Sequence, residues 1–270
     1  MEREIACAIV GATGRMGQRI CRLIAETDGF TLAGATEGPG HQHVGRNVQE
    51  LMGLPFENVD VVAGLDAVRH EYDVIIDFTF PAVSMETIRY AARTKKCAVV
   101  GTTGFSKEQQ AEIEQLSRTF ACVCAPNMSL GVNTLFKLVA DVAAILQEGF
   151  DVEVLEMHHR HKKDAPSGTA LKVAEILAAA YGRDLNAVGV YERKGFTGQR
   201  TPEEIGMQTL RGGDVVGEHT VYFAGVGERL ELTHRAQSRD CFAQGALHAA
   251  RWLVDKPGGL YDMQDVLGLR

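Results

Sequence analysis

Six consecutive nitrogen-bearing side chains lie between an apolar stretch and a helix-like stretch of the sequence: His158, His159, Arg160, His161, Lys162 and Lys163. Histidine exchanges protons near neutral pH, and a lysine surrounded by other cations becomes a better proton donor. Just downstream, Ser167, Gly168 and Thr169 would offer backbone amides and hydroxyl groups at the positive end of a helix. The pattern predicts a pocket for a polyanion, with proton donors that suit hydride transfer followed by protonation.

Two other interpretations of this basic segment stay open. It could be a solvated basic loop without a chemical role. It could also bind a metal through its histidines, but Arg160 and two lysines would repel a cation, and no carboxylate or cysteine partner is evident nearby. We therefore predict no metal.

A second motif follows Val10 near the start of the chain, with the sequence Gly11-Ala12-Thr13-Gly14-Arg15-Met16-Gly17. Gly11 permits a tight turn, Gly14 lets the backbone approach a pyrophosphate, and Gly17 lets helix and strand pack closely. The following helix would present free N–H groups and its positive end to phosphates. Such a heptapeptide can also be a simple turn, but its position between the first strand and the first helix predicts dinucleotide binding.

Glu37 ends the second predicted strand, where a carboxylate can accept hydrogen bonds from the hydroxyl groups of an adenosine ribose. The alternative is a solvated strand-end carboxylate. A carboxylate there disfavours a 2′-phosphate, and Gly38 follows it rather than an arginine that could pair with one. We expect NADH to bind at least as readily as NADPH, unless a nearby basic residue compensates: Arg15, His41, His43 or Arg46.

Two further loops end predicted strands at the same edge of the sheet: Gly101-Thr102-Thr103-Gly104 and Ala125-Pro126-Asn127-Met128. Ligands of open parallel sheets bind beyond the carboxyl ends of the strands. Both loops are therefore predicted to line the nicotinamide end of the crevice, although each could be an ordinary surface loop.

The elements that must position these residues follow from the hydrophobic pattern. Short apolar runs alternate with amphipathic stretches in the first half, which is typical of strand–helix units in a parallel sheet. We predict strands at residues 5–10, 31–36, 73–78, 98–100 and 121–125, and helices at 16–26, 84–93 and 107–118. Later segments predict a second, mixed-sheet domain, with strands at 151–154, 215–224 and 228–236 and helices at 134–147, 165–180 and 241–254.

Charge and composition exclude several classes of protein. With 28 Lys+Arg against 35 Asp+Glu the net charge is -7, so no global basic field attracts nucleic acid or an anionic membrane. No apolar run reaches about 18 residues and no signal-peptide pattern is evident, so we expect a cytoplasmic protein without nucleic-acid or membrane partners. The six cysteines show no C-x-x-C spacing and are interpreted as reduced core residues.

Taken together, these motifs resemble the 4-hydroxy-tetrahydrodipicolinate reductase family over nearly the whole chain. The likeness rests on the glycine-containing loops above and on residues 127–133, 156–170, 212–220 and 231–236. Its most specific part is the basic segment that begins at His158. The resemblance implies a small dicarboxylate substrate, NADH or NADPH as cofactor, and reduction of 4-hydroxy-tetrahydrodipicolinate to tetrahydrodipicolinate in the diaminopimelate route to lysine.

The resemblance also implies roles for individual residues. His158 would be the acid/base residue and Lys162 the proton donor, with the two roles partly interchangeable. Substrate carboxylates would be bound by His159, Gly168, Thr169 and Arg239. Cofactor contacts would come from Gly11, Ala12, Thr13, Gly14, Arg15, Met16, Glu37, Gly101, Thr102, Thr103, Ala125, Pro126, Asn127 and Met128. Gly38 departs from family members with an arginine there, which leaves the preference between the two cofactors open.

The implied fold is α/β, with a Rossmann-type parallel-sheet domain and a mixed-sheet α/β domain. The dinucleotide-binding domain would comprise residues 1–129 and 239–270, because the C-terminal segment returns to it, and residues 130–238 would bind substrate and build a homotetramer. One rival is another two-domain dehydrogenase with a different anionic substrate, against which the basic segment argues. A non-catalytic NAD(P)-binding sensor is the second rival, and it would lack the proton donors His158 and Lys162.

Overall fold

The computed structural model describes residues 3–270, and the chain divides into two units. Unit 1 contains the chain up to Leu130 together with Arg239–Arg270, and unit 2 contains Gly131–Ser238. Residues 1 and 2, which begin the predicted first domain, lie outside the described residues. The assignment of nucleotide binding to one unit and substrate binding to the other remains a prediction.

Strands and helices alternate along most of unit 1, whereas four strands follow one another in the second half of unit 2. The strands are β1 (Ile5–Val10), β2 (Phe30–Glu37), β3 (Val61–Ala63), β4 (Val74–Asp77), β5 (Cys97–Val100), β6 (Ala121–Cys124), β7 (Asp151–His158), β8 (Gly189–Val190), β9 (Ile205–Arg211), β10 (Gly217–Ala224), β11 (Arg229–Ala236) and β12 (Gly259–Tyr261). The helices are α1 (Arg15–Glu26), α2 (Val48–Met52), α3 (Pro81–Thr94), α4 (Lys107–Ser117), α5 (Leu130–Ile145), α6 (Gly168–Ala180), α7 (Leu185–Val188), α8 (Asp240–Leu253) and α9 (Met263–Val266).

Unit 1 is built on a sheet with the strand order β12-β6-β5-β4-β1-β2-β3, in which all neighbours are parallel. The central strands are continuously apolar because both faces of the sheet are covered, and every residue of β4 is buried. The connection order reverses between β1 and β4. Their carboxyl ends therefore form the switch point at which open parallel sheets bind ligands, and the predicted Rossmann-type fold is confirmed.

Two strands of this sheet, β3 and β12, are not predicted by the sequence pattern. Each has only three residues, too few to show a periodicity. β3 pairs with the end of β2, and β12 pairs with β6. Pairing with an existing sheet edge, rather than a local signal, makes these segments strands.

Helices α1 and α8 pack together on unit 1. The buried face of α1 carries Gly17, Ile20, Cys21 and Ile24, the spacing of one helical stripe. On α8, Gly245 is buried against the Met128 carbonyl, and a Cβ added at Gly245 would overlap that carbonyl. The C-terminal helix thus supports the loop that follows β6.

Unit 2 is a mixed sheet with the order β11-β10-β7-β9-β8, and the predicted mixed-sheet domain is confirmed. Helices α5 and α6 pack on one face, around a core that includes Val154, Phe223 and Leu177. Strand β7 alternates between buried and half-buried residues and runs on to His158, four residues beyond its predicted end. Helix α6 begins at Gly168, later than predicted, because the Ser167 side chain accepts the N–H of Ala170 as the N-cap.

Among residues 3–270, every helix is too short or too polar to span a lipid bilayer.

Gly245→Ala tests the close packing of α8 on the loop after β6. Alanine normally stabilises a helix interior relative to glycine by about 1 kcal/mol. Here the added methyl overlaps the Met128 carbonyl, and we expect a net loss of about 1–3 kcal/mol in the free energy of unfolding, measured by urea titration. Gln244→Ala, at the exposed neighbouring position, should change stability by less than about 0.5 kcal/mol. A Gly245→Ala protein as stable as the wild type would contradict this packing.

Candidate functional site

The glycine-rich loop joins β1 to α1 at the switch point of the parallel sheet. Gly11 has φ +67°, and a Cβ there would lie 2.7 Å from the Thr79 methyl group. A Cβ at Gly17 would overlap the Gly11 carbonyl and lie 2.7 Å from the Ala12 Cα, so only glycine allows this approach. Gly14 is the N-cap of α1, and no side chain of the described residues hydrogen-bonds to this cap. The first N–H groups of α1 are therefore suited to bind an anion.

Glu37 lies at the carboxyl end of β2 and is held by this loop. Its Oε1 accepts hydrogen bonds from the Thr13 backbone N–H at 2.8 Å and from the Thr13 hydroxyl at 2.6 Å. Glu37, Gly38 and His41 line a cleft of about 680 Å³ together with Gly11 and residues after β4. Its size is in the range of small-molecule sites, and its position fits the adenosine part of a dinucleotide.

A buried polar network, which the sequence analysis did not predict, joins the loops that follow β4 and β5. The fully buried Asp77 carboxylate accepts hydrogen bonds from the Thr79 N–H and hydroxyl and from the Thr87 hydroxyl, at 2.6 to 2.9 Å. Ser84 then donates to the hydroxyl of Thr102, one of the predicted cofactor residues, at 2.7 Å. The network fixes the position of Thr102 relative to the loop after β4.

The remaining predicted cofactor residues lie beyond β5 and β6. Gly101 packs against the Phe78 ring, whereas Thr103 is exposed. After β6, Ala125 donates its N–H to the Val100 carbonyl at 3.1 Å. Of the rest of that loop, Pro126 is exposed, Asn127 is half-buried and Met128 is buried.

Arg15 and Arg239 line one groove of about 480 Å³ beside α1, together with Arg19 and Arg22. Arg19 is ion-paired with Asp240. The structure thus brings a predicted cofactor residue next to a predicted substrate residue within unit 1. The assignment of Arg239 to the substrate stays a prediction, since the other residues assigned to the substrate belong to unit 2.

In unit 2, strand register brings polar side chains from three neighbouring strands together. Glu156 and His158 are two residues apart on β7 and so share its buried face. Across β9 they pair with Thr209 and Arg211, and across β10 Glu156 pairs with His219. A polar cluster therefore lies at the end of β7, on the same face as the apolar core.

Glu156 is the centre of this cluster and is 1% exposed. Its Oε2 lies 2.5 Å from His158 Nδ1 and accepts a hydrogen bond from Arg211 Nη1 at 2.9 Å. Its Oε1 accepts from Arg211 Nη2, the Ser167 N–H and the Thr209 hydroxyl, at 2.8 to 3.1 Å. Burial raises the pKa of this carboxyl, but the hydrogen bonds from His158 and Arg211 outweigh it and lower the pKa to about 2.

His219 is the neutral member of the cluster. It is 3% exposed, its ring packs edge-on to the His158 ring at 5.2 Å, and its Nε2 lies 3.0 Å from the Ser167 hydroxyl. Burial lowers its pKa to about 3, with the nearby His158 as the second cause. The imidazole is therefore uncharged at neutral pH.

The basic segment after β7 is ordered by backbone hydrogen bonds to the loop before β10. His159 N–H donates to the Val215 carbonyl at 2.7 Å, and Arg160 N–H donates to the Gly213 carbonyl at 3.2 Å. Lys162 Nζ forms an ion pair of 2.8 Å with Asp164, and this contact lowers the pKa of the Asp164 carboxyl. Lys162 is only 21% exposed, which limits the positions that its ammonium group can reach.

The predicted anion-binding residues lie at the start of α6, next to this segment in the chain. Gly168 is exposed and Thr169 is half-buried, and both follow the N-cap Ser167. Their backbone amides belong to the first turn, where N–H groups favour a carboxylate. The Ser167 N–H itself is taken up by Glu156.

The structure corrects one expectation about the basic segment. His158 does have a carboxylate partner, Glu156, which the sequence analysis missed because the predicted strand ended at residue 154. Extending the strand by four residues would have placed both side chains on one face. Arg211 and His219 carry no local signal, since only strand pairing brings them to Glu156. Within residues 3–270, no group of His, Cys, Asp and Glu has the arrangement of a metal site.

The pKa of His219 predicts a pH-dependent stability. Between about pH 6.5 and pH 3 the unfolded chain binds a proton at His219 that the folded chain does not bind, so stability falls as the pH is lowered through this window. From pH 7 to pH 5, we expect wild type to lose up to about 2 kcal/mol more unfolding free energy than His219→Gln, whose amide does not titrate. Urea unfolding at both pH values measures the difference, and equal losses in the two proteins would contradict a buried neutral His219.

Comparison with known proteins places this geometry in a family. The family models described as "Dihydrodipicolinate reductase, N-terminus" and "Dihydrodipicolinate reductase, C-terminus" match residues 5–128 and 131–267. The 4-hydroxy-tetrahydrodipicolinate reductase of Syntrophobacter fumaroxidans is 54% identical over 98% of this chain and 100% of its own length. That of Geobacter sulfurreducens is 53% identical over 97% and 98%.

A solved structure agrees with these sequence relatives. The dipicolinate-bound dihydrodipicolinate reductase from Paenisporosarcina sp. TG-14 superposes with a TM-score of 0.75 at 26% identity, covering 97% of this chain and 98% of that one. Sequence and fold therefore agree along both units of the chain, which belongs to the dihydrodipicolinate reductase family.

Proposed function

We propose that this enzyme catalyses the NAD(P)H-dependent reduction of 4-hydroxy-tetrahydrodipicolinate, via dihydrodipicolinate, to tetrahydrodipicolinate, in the diaminopimelate route to lysine. The observation that carries the proposal is the buried Glu156–His158 pair, followed directly by a basic loop and the first turn of α6. This combination offers proton transfer and carboxylate binding in one short segment. Such a segment suits a cyclic dicarboxylate that takes up a hydride and a proton.

The proposed substrate contacts follow from charge and helix geometry. The first turn of α6 contains Gly168 and Thr169, and the N–H groups at the start of a helix favour a carboxylate. His159, held by its N–H to the Val215 carbonyl, would bind a substrate carboxylate beside this turn. The chain as a whole carries a net charge of -7, so this local basic site is what attracts a dianion.

Proton transfer is assigned to His158 and Lys162. The short contact with Glu156 orients the His158 ring, and the ion pair with Asp164 holds the Lys162 ammonium group in place within the basic segment. A bound dicarboxylate would compete with Asp164 for this ammonium group. Lys162 then becomes the proton donor for the reduced ring, with His158 as the acid/base residue beside it.

Unit 1 fits a dinucleotide, which supplies the hydride when bound. The glycine-rich loop and the uncapped start of α1 would hold its pyrophosphate, and Glu37 its adenosine ribose. At Gly38 a Cβ would meet no atom within 4 Å, so there is space at this position but no guanidinium group for a 2′-phosphate. We therefore propose that NADH is used at least as well as NADPH, with His41, which lines the same cleft, as a basic substitute.

A homotetramer built on the second sheet is part of the proposal. The face of this sheet opposite α5 and α6 carries half-buried side chains such as Leu155 and Tyr222. Leu210, on β9, pairs with Met157, lies on this same face and is 48% exposed. These exposed and half-buried apolar groups support the use of this face as a subunit interface.

The reaction is tested by supplying pyruvate and aspartate semialdehyde to the preceding synthase, and following oxidation of NADH and NADPH by this enzyme. We expect oxidation that depends on the synthase product, with kcat/KM for NADH at least equal to that for NADPH. Bound but unoxidised cofactor would favour a sensor or a dehydrogenase with another substrate. A clear preference for NADPH would contradict only the cofactor proposal.

Lys162→Ala tests the proton donor. We expect turnover to fall at least about a hundredfold, because a general acid is lost, while NADH affinity measured by fluorescence titration stays nearly unchanged. Lys172→Ala removes an exposed lysine of α6 and should retain wild-type turnover. Wild-type turnover in Lys162→Ala would overturn the role assigned to Lys162.

A further inference from the structure

We propose that Glu156 is a positioning residue that keeps the neutral ring of His158 protonated on Nδ1, which leaves Nε2 as the atom that exchanges protons with the substrate. The role of Nε2 rests on the function proposed above, whereas the protonation of Nδ1 does not. Histidine has two ring nitrogens, and the hydrogen bond made by one decides the state of the other. The inference therefore depends on what surrounds the Glu156 carboxylate.

Every neighbour of this carboxylate is a donor. The Arg211 guanidinium group donates to both oxygens, and the Ser167 N–H and the Thr209 hydroxyl donate to Oε1. A carboxyl with such partners is ionised and can only accept, and its lowered pKa agrees. At 2.5 Å from Oε2, His158 Nδ1 must then carry a hydrogen.

The Nε2 side of the ring faces a glycine rather than a larger residue. Gly217, the first residue of β10, lies beside His158, and a Cβ added there would be 3.0 Å from His158 Nε2. The ring is otherwise enclosed, with His158 only 8% exposed. Glu156 therefore occupies the Nδ1 side, whereas any side chain larger than glycine at position 217 would crowd Nε2.

The same carboxylate is connected to the basic loop. While Arg211 binds Glu156 through both Nη atoms, its Nη2 also donates to the backbone carbonyl of Asp164 at 2.7 Å. Asp164 is in turn the ion-pair partner of Lys162. Glu156 thus orients the His158 ring directly and anchors the end of the loop that carries Lys162.

Glu156→Gln tests the state of the His158 ring, because an amide has only one acceptor oxygen where the carboxylate has two. If the amide nitrogen replaced Oε1, it would face the N–H donors of Ser167 and Arg211, neither of which can accept a hydrogen bond. If it replaced Oε2, it would face one guanidinium N–H and a His158 nitrogen that can change its state. We expect the second arrangement, in which the amide donates to Nδ1 and the neutral ring is protonated on Nε2.

The experiment is nitrogen-15 NMR of histidine-labelled protein at alkaline pH, which favours neutral imidazole rings, with His158→Asn used to assign the His158 signals. Wild type should show Nδ1 protonated, and Glu156→Gln should show Nε2 protonated. In the same variant we expect kcat to fall at least about tenfold while the KM for NADH changes little.

Glu153→Gln is the matched control. Glu153 is also on β7 and also accepts two hydrogen bonds from an arginine, Arg193, but it lies on the opposite face of the strand. Its variant should keep the wild-type His158 signals and kcat. A Glu156→Gln protein that retained the Nδ1-protonated ring, or lost no more activity than Glu153→Gln, would overturn the proposal.

The wild-type spectrum tests whether Nδ1 of His158 is protonated even if Glu156→Gln fails to fold. Protonation on Nε2 in the wild type would by itself overturn the inference. Absence of reductase activity in the wild type, with Nδ1 protonated, would instead overturn the proposed function. The positioning of the ring by Glu156 would then still hold.

Discussion

The buried ionised carboxylate of Glu156 is the constraint on which the second unit depends. A charge taken out of water must be matched by donors, since an unpaired buried charge costs several kcal/mol. Here the donors come from β9, from Ser167 at the N-cap of α6 and from His158 on the same strand. The hydrogen bonds to this one carboxylate therefore depend on the strand register, on the start of the helix and on the orientation of the ring proposed to exchange protons.

In the first unit, buried polar groups and close backbone contacts lie at one edge of the sheet and hold its loops in place. Gly11 and Gly17 let α1 begin close to β1, and the Asp77 carboxylate orders the loop after β4. Through Ser84 this order extends to Thr102 beyond β5. The nucleotide loops are thus held by contacts beneath them before any ligand binds, which lowers the entropy lost on binding.

The two units differ in how they arrange charge. In unit 1 the proposed cofactor contacts are backbone N–H groups and the carboxylate of Glu37, and four arginines line a groove beside α1. Unit 2 concentrates cations in one loop but balances them internally, with Asp164 on Lys162 and Glu156 on Arg211. Of these two partners Asp164 is the more exposed, and it is the one that the proposed dianionic substrate would replace.

The sequence by itself determined the α/β class, the strand–turn–helix context of Gly11 to Gly17 and the basic segment, because each is encoded by local periodicity or contiguous residues. It also indicated the family, since motifs from both halves of the chain match. The sequence did not predict three-residue strands such as β3, because they exist only through pairing with a sheet edge. Tertiary structure decided the long-range partners of Glu156. Arg211, which donates to its carboxylate, and His219, which pairs with it across β10, are more than fifty residues away in the chain, and only the registers of β9 and β10 bring them to β7.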